Sequence, residues 1–307
     1  MNLIFCAYAA KQGFQAGHNI SKANTEDIYL KNTYVALYSA KQYNPTDDVA
    51  LITNVDLSKE WQNLFQNAGI KVFKKEYNEF LFPPDYPWSL AFYKLCAVKF
   101  VLTLDYDKCV LIDTDTFIQR NFNNIWAECD NHILLYDYSR GLYNGDYAGF
   151  CKEISQFVGC TTYPTHWGGE FIGGSKSLLK EFIGICESIY SKMNESRFIT
   201  KNGDEFITSI AAIHMKHLVK NAKGYIFRYW TSYGWYYSCS NYNHNPVTVL
   251  HCPAEKAKGF LRIYKYIYIR KKLPKINKVY RMLHLDIHSA FWRNSLMTLL
   301  YTLKVKR

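Results

Sequence analysis

Lys108-Cys109-Val110-Leu111-Ile112-Asp113-Thr114-Asp115-Thr116-Phe117 runs an apolar, strand-length segment straight into two carboxylates two positions apart. In an extended chain that spacing sends both side chains to the same side. Two hard oxygen donors at a strand end can hold Mg²⁺ or Mn²⁺ and leave positions open for phosphate oxygens. An Asp-x-Asp triplet suits a surface turn equally well, so the triplet by itself fixes neither reading.

The sequence upstream tells where this strand sits. Residues 2–9 read as a first buried strand, followed by a loop with Gly13 and Gly17. Residues 25–43 look helical and end before Asn44-Pro45. Asp48 to Thr53 reads as a second buried strand. Residues 58–68 place Trp61, Leu64, Phe65 and Ala68 at helical spacing, with Gly69 as the stop. A strand is expected at Ile70 to Phe73, and an irregular loop at Pro83, Pro84 and Pro87. Ser89 is then expected to cap a helix running to about Leu104, before the strand Lys108 to Asp113. Strand and helix alternate throughout residues 1–120. That order predicts an α/β fold with a mostly parallel central sheet and helices on both faces. Such sheets bind ligands at the carboxyl ends of their strands, which is where Asp113 falls. Further along, the pattern gives short strands at 132–138, 170–173 and 247–251, and helices at 176–193 and 204–219.

The bulk composition excludes several classes. Hydrophobic residues make up 49% of the 307, too many for a disordered chain. No apolar run reaches the ~18 residues that a membrane span needs. The N-terminus lacks a signal peptide's basic flank. Nine cysteines without a C-x-x-C pair fit reduced cytosolic thiols better than a disulfide framework or a zinc knuckle. Charge is uneven. Residues 256–307 hold 14 Lys/Arg and one acid, whereas residues 1–255 hold 23 bases and 25 acids. The expected organisation is therefore a domain over 1–255, split near 120 into nucleotide and acceptor halves, with a basic helical extension over 256–307.

A longer run of residues resembles a known family. Phe92-Tyr93-Lys94-Leu95, then Tyr106-Asp107-Lys108 leading through the strand to Asp113-Thr114-Asp115, is similar to the pattern of glycosyltransferase family eight. That family includes glycogenin and bacterial lipopolysaccharide galactosyltransferases. Trp167-Gly168-Gly169-Glu170-Phe171 stands where the family has a strand with a small-residue turn. Gly203-Asp204-Glu205 stands at its Asp-Gln helix start, and His251 with Lys258-Gly259-Phe260 at its terminal His and Lys-Pro-Trp. The resemblance implies a GT-A (Rossmann-like) fold. It implies a metal-dependent transfer of a hexose from a nucleotide diphosphate sugar, a UDP-sugar, with retention of configuration. By the same resemblance Asp113 contacts ribose or metal, Asp115 and His251 are metal ligands, Lys94 reaches the donor, and Lys258 pairs with the diphosphate. The His-to-Lys spacing is one residue longer here, so Lys256 competes with Lys258. An acid that reads the base is missing after the first strand, and Tyr8 is left to stack there or to serve the core. Thr114 completes the expected donor-binding set.

The chemistry of these residue types agrees. A divalent ion neutralises a diphosphate leaving group, an imidazole is a suitable third ligand, and a lysine stabilises the charge that builds. Glu170, Asp204 and Glu205 are the candidate catalytic carboxylates near the sugar. Glu170 also reads as a strand-edge acid at a bulge, and the other two as ordinary acids in a helix's first turn. The aromatic stretch from Tyr225 to His244 suits either an acceptor wall or a core hairpin. After Pro274 a helix is expected with Val279, Leu283, Ile287, Phe291 and Trp292 on one face. Basic residues beside such aromatics suit an anionic membrane surface, so the expected acceptor is a glycan or lipid-linked glycan, and the expected location cytoplasmic, peripheral on the inner face of a membrane. No nucleic-acid reading motif is present. Two rivals remain. Asp113-Thr114-Asp115-Thr116 fits the first motif of haloacid-dehalogenase-type phosphatases, with Asp113 as nucleophile, although that motif normally ends a domain's first strand. The other rival is a non-catalytic sugar-binding protein.

Overall fold

The computed structural model describes residues 1–12, 14, 25–139, 147–231 and 247–285, and beyond these 292, 295, 296, 299, 300, 302 and 303. In chain order the elements are β1 (Asn2–Tyr8), α1 (Thr25–Tyr43), β2 (Asp48–Thr53), α2 (Lys59–Asn67), β3 (Lys71–Lys74), α3 (Tyr93–Val101), β4 (Lys108–Ile112), β5 (Thr116–Ile118), α4 (Asn123–Cys129) and β6 (Ile133–Asp137). There follow α5 (Tyr147–Val158), β7 (Trp167–Ser175), α6 (Lys176–Glu195), α7 (Asp204–His214), β8 (Val219–Asn221), β9 (Ile226–Arg228), β10 (Val249–His251), α8 (Gly259–Arg270) and α9 (Ile276–Met282). They form two compact units, each drawn from three separate stretches of chain.

The first unit takes the described residues of Met1–His18, Thr46–Asp113 and Phe122–Lys223. Its sheet has seven strands in the order β3-β2-β1-β4-β7-β6-β8. The pairs β3-β2, β2-β1, β1-β4 and β6-β8 are parallel, and β7 runs antiparallel to both its neighbours. The sheet is therefore mostly parallel and flanked by helices. Leu3 to Cys6 and Cys109 to Ile112 are buried without alternation, as expected for strands covered on both faces. Phe92, Leu111, Ile172, Phe182 and Phe206 share one core with β1. Each fully buried side chain of this size contributes about 1.5–3 kcal/mol. Local signals set the element ends. Ser58 Oγ accepts from Trp61 N to start α2, and Gly69, at φ 69°, follows its end.

Three expectations need correction in this unit. The helix expected from Ser89 starts at Tyr93. The stretch 86–92 is a series of tight turns, and the Ser89 carbonyl is taken by Tyr77 Oη at 2.5 Å. The strand expected at 170–173 extends over nine residues, because the flanking glycines pack it closely. A Cβ at Gly173 would lie 3.0 Å from Val110, and one at Gly174 2.8 Å from Ile133. The helix expected to reach 219 ends at His214. The helices α4 and α5 had no expectation at all.

The second unit takes the described residues of Asn19–Pro45, Thr114–Asn121 and Gly224–Arg307. Its sheet is β5-β10-β9, with β10 antiparallel to β5 and parallel to β9. Helix α1 is buried continuously from Asn32 to Ala40, which is why its sequence shows no single apolar stripe. Its Ser39 Oγ accepts from Ile118 N at 3.0 Å. Helix α8 buries Phe260, Ile263 and Ile267, and Tyr264 meets Tyr34 edge-on at 5.7 Å. The helix expected after Pro274 is short. It covers Ile276–Met282 with Val279 and Leu283 buried, and Ile287 and Phe291 lie outside the described residues. Gly13, Gly17 and residues 232–246 of the aromatic stretch also lie outside them. Among the described residues no cysteine is in a disulfide, and no helix is long and apolar enough to cross a membrane.

Candidate functional site

In the second unit, strand pairing assembles a buried charge cluster. The β10-β5 register sets His251 opposite Thr116. Cys252 N then donates to the Asp115 carbonyl at 3.1 Å, fixing the residue just before β5. His251 Nε2 lies 3.2 Å from Asp115 Oδ2. Lys256 Nζ lies 3.3 Å from the same oxygen. The lysine is held from α1: Asn32 Nδ2 donates to its carbonyl at 3.2 Å, and its ammonium stands 5.5 Å from the Tyr29 ring centre. The ring face favours a cation there. Lys258, the competing lysine, is exposed at the start of α8.

Asp115 is 0% exposed, and its Oδ1 has no hydrogen-bond partner. Burial pushes its carboxyl up, but Lys256 and His251 outweigh burial and hold it well below the usual range. The group is an ionised carboxylate whose Oδ2 already has the Lys256 ammonium as counter-charge and whose Oδ1 stays idle. A carboxylate and an imidazole form a donor set that suits a divalent transition metal. The residues present therefore fit such an ion. Thr114, next in line, is also buried, and Asp113 precedes Asp115 by two residues on the same stretch of chain.

In the first unit, Asp113 leaves the end of β4 with its N–H donating to the Glu170 carbonyl at 3.0 Å. Lys94, from α3, places Nζ 3.0 Å from Asp113 Oδ1. Burial alone pushes the Lys94 ammonium down, yet Asp113, Asp204 and Glu170 outweigh it and keep the group charged. Glu170 is buried on β7 between β4 and β6, so it is not an edge residue. The register does shift beside it, at Leu135 and Tyr136 of β6. Asp204 opens α7, and burial pushes its carboxyl up to about 7 against the pull of Lys94. Its Oδ2 has no hydrogen-bond partner. A methyl group at Gly169 would collide with that oxygen, so the glycine gives the carboxylate its room. Tyr8 is buried at the end of β1.

His166, which the sequence does not single out, contacts the candidate carboxylate Glu205. Its Nε2 lies 2.7 Å from Glu205 Oε2, and its ring stacks on Phe150 at 3.9 Å. Nothing local marks it, since 39 positions separate it from Glu205. Lys94, Asp113, Glu170 and Asp204 are thus associated in one unit, and Asp115, His251 and Lys256 in the other.

The first unit's mostly parallel sheet and its flanking helices are consistent with a GT-A (Rossmann-like) fold. Among solved structures the chain is similar to an active-site mutant of LgtC, a galactosyltransferase of family eight. The two share 15% identity over 82% of this chain and 87% of that one, with a TM-score of 0.55. At that identity the likeness speaks for the fold. No protein-family model matches the sequence, and no curated protein matches it.

Proposed function

We propose that this chain is a metal-dependent glycosyltransferase that moves a hexose from a UDP-sugar to a glycan or lipid-linked glycan, with retention. The observation that carries the reading is Asp115: buried, ionised, with one oxygen idle and the other shared by His251 and Lys256. Asp115 and His251, with Asp113 two residues before Asp115 on the same stretch of chain, are the proposed donors for Mn²⁺ or Mg²⁺. When bound, the ion supplies charge neutralisation to the diphosphate leaving group. Lys256 takes the diphosphate role from Lys258, because its ammonium already stands at the carboxylate. Lys94 fixes Asp113 toward the ribose. Glu170, Asp204 and Glu205 face the transferred sugar, and a carboxyl held near neutrality at Asp204 is suited to hydrogen-bond a sugar hydroxyl as donor or acceptor. Tyr8 stacks on the base.

Docking of the basic C-terminal extension on an anionic membrane belongs to the same proposal. Trp292, Leu296, Leu299 and Leu303 recur at helical spacing and are all exposed, at 78%, 57%, 53% and 60%. The function is tested by slow hydrolysis of a panel of UDP-sugars. Turnover in Mn²⁺ that vanishes with Asp115→Asn supports it. Turnover unaffected by chelation or by that change overturns it.

A further inference from the structure

Glu255 sits in the 3-10 turn Pro253–Glu255, one residue before Lys256. Its carboxylate is 0% exposed and is held from several directions. Thr231 Oγ1, beyond β9, donates to Oε1 at 2.5 Å. His284 Nδ1, beyond α9, stands 3.0 Å from Oε2 as an ion-pair contact that lacks hydrogen-bond geometry. Gly259, the first residue of α8, closes the remaining side. A Cβ there would lie 3.0 Å from Oε2 and 2.6 Å from the Met282 carbonyl, so only glycine lets these segments meet. The turn's backbone is fixed as well, with Glu255 N donating to Cys252 O and Lys258 N to Glu255 O, both at 3.0 Å.

A carboxylate in such a place costs several kcal/mol to desolvate, by the order of magnitude for buried ions, and packing alone does not call for one. Its position gives it a use. The segment from His251 to Lys256 brings both side chains that meet the Asp115 carboxylate, and Glu255 ties that segment to the C-terminal extension through His284. We propose that Glu255 is a positioning residue, clamped by Thr231 and His284, which holds the Lys256 ammonium over Asp115 and so makes diphosphate binding depend on the C-terminal segment. The proposal rests on Lys256 being the diphosphate contact of the proposed function. It adds that the extension has a role inside the site, apart from any docking surface.

The test uses the full chain and measures UDP and UMP affinities by calorimetry in Mn²⁺, for wild type, Lys256→Ala, Glu255→Gln and His284→Asn. The last variant is the safeguard for folding. His284 is partly exposed at φ 54°, a conformation that asparagine adopts readily, and the shorter side chain cannot reach Glu255. Both clamp variants should weaken UDP about tenfold, as loss of a supporting shell does, while UMP binding stays within about twofold. A merely structural role would shift both nucleotides together or neither. The clamp is refuted if Lys256→Ala weakens UDP selectively while folded Glu255→Gln and His284→Asn keep the wild-type ratio. In that case the reading of Lys256 stands. Wild type that binds no UDP in Mn²⁺ fails the proposed function itself, and the clamp with it.

Discussion

His251 Nε2 lies 3.2 Å from Asp115 Oδ2, although 136 residues separate the two in sequence. The contact is made by the antiparallel pairing of β10 with β5, which sets Val249, Leu250 and His251 against Ile118, Phe117 and Thr116. The imidazole therefore reaches the carboxylate as the last residue of a buried strand, with its approach fixed by backbone pairing.

Replacing Asp115 by Asn should be costly in two ways. It strands the Lys256 ammonium without its counter-charge, and breaking a buried pair from one side costs about 3–5 kcal/mol. It also removes an anionic ligand. Denaturant unfolding should show the loss of stability, and Mn²⁺-dependent nucleotide binding should fall by more than about 100-fold, since even outer-shell changes cost about 10–100-fold.

Lys256→Ala and Lys258→Ala should separate sharply. The first lysine lies 3.3 Å from Asp115, whereas the second is exposed. With a UDP-sugar donor, kcat should fall about 10²–10³-fold for Lys256→Ala, the usual loss when a charge-stabilising donor is removed. Lys258→Ala should change it less than about twofold, in line with ordinary surface substitutions. Equal losses would place the diphosphate elsewhere.

Gly169→Ala should damage function more than stability. The added methyl meets the free end of Asp204 and no backbone, so the carboxylate can rotate away. Melting should move little, by about 1 kcal/mol. Turnover should drop on the order of 100-fold, because displacement of a positioned group by about 1 Å costs that much.

Asp204 also predicts a pH dependence. Its carboxyl stays protonated in the folded chain up to about pH 7, while an unfolded Asp releases its proton near pH 4. Between these values the folded state binds more protons, so stability falls as pH rises through the window. The stability of wild type relative to Asp204→Asn should therefore decline from pH 4 to 7, read as the difference between their denaturant midpoints. A difference that stays constant or grows across the window would contradict the assignment.

Much of the first unit was legible because its signals are local. The strands β1, β2 and β4 are continuous apolar runs, Gly69 follows α2, and Asp113-Thr114-Asp115 ends a buried strand. The misses share a cause. The length of β7 was hidden because Gly168, Gly169, Gly173 and Gly174 look like turn residues, whereas the last three are small so that Asp204, Val110 and Ile133 can approach. Ser89 looks like a helix cap, but tertiary contact with Tyr77 takes its carbonyl into a turn. His166 and Glu255 gain their roles from partners 39 and 24 or more positions away, beyond any local pattern. The choice between Lys256 and Lys258 depends on a 3-10 turn that two residues of sequence spacing do not reveal.

Membrane docking can be tested without disturbing the packed part of the extension. Phe260, Ile263, Ile267 and Leu283 are core residues, so a cut at 259 would unfold what it tests. Replacing Trp292, Leu296, Leu299 and Leu303 together by Ser should abolish sedimentation with anionic vesicles and leave soluble donor hydrolysis unchanged. Vesicle binding that survives the change would exclude this face.

The most direct test of the central claim is a calorimetric titration of UDP into wild-type protein with and without Mn²⁺. Binding should require the ion and should disappear in Asp115→Asn. Equal UDP affinity in Mn²⁺ and in excess chelator, or no UDP binding under either condition, would contradict it.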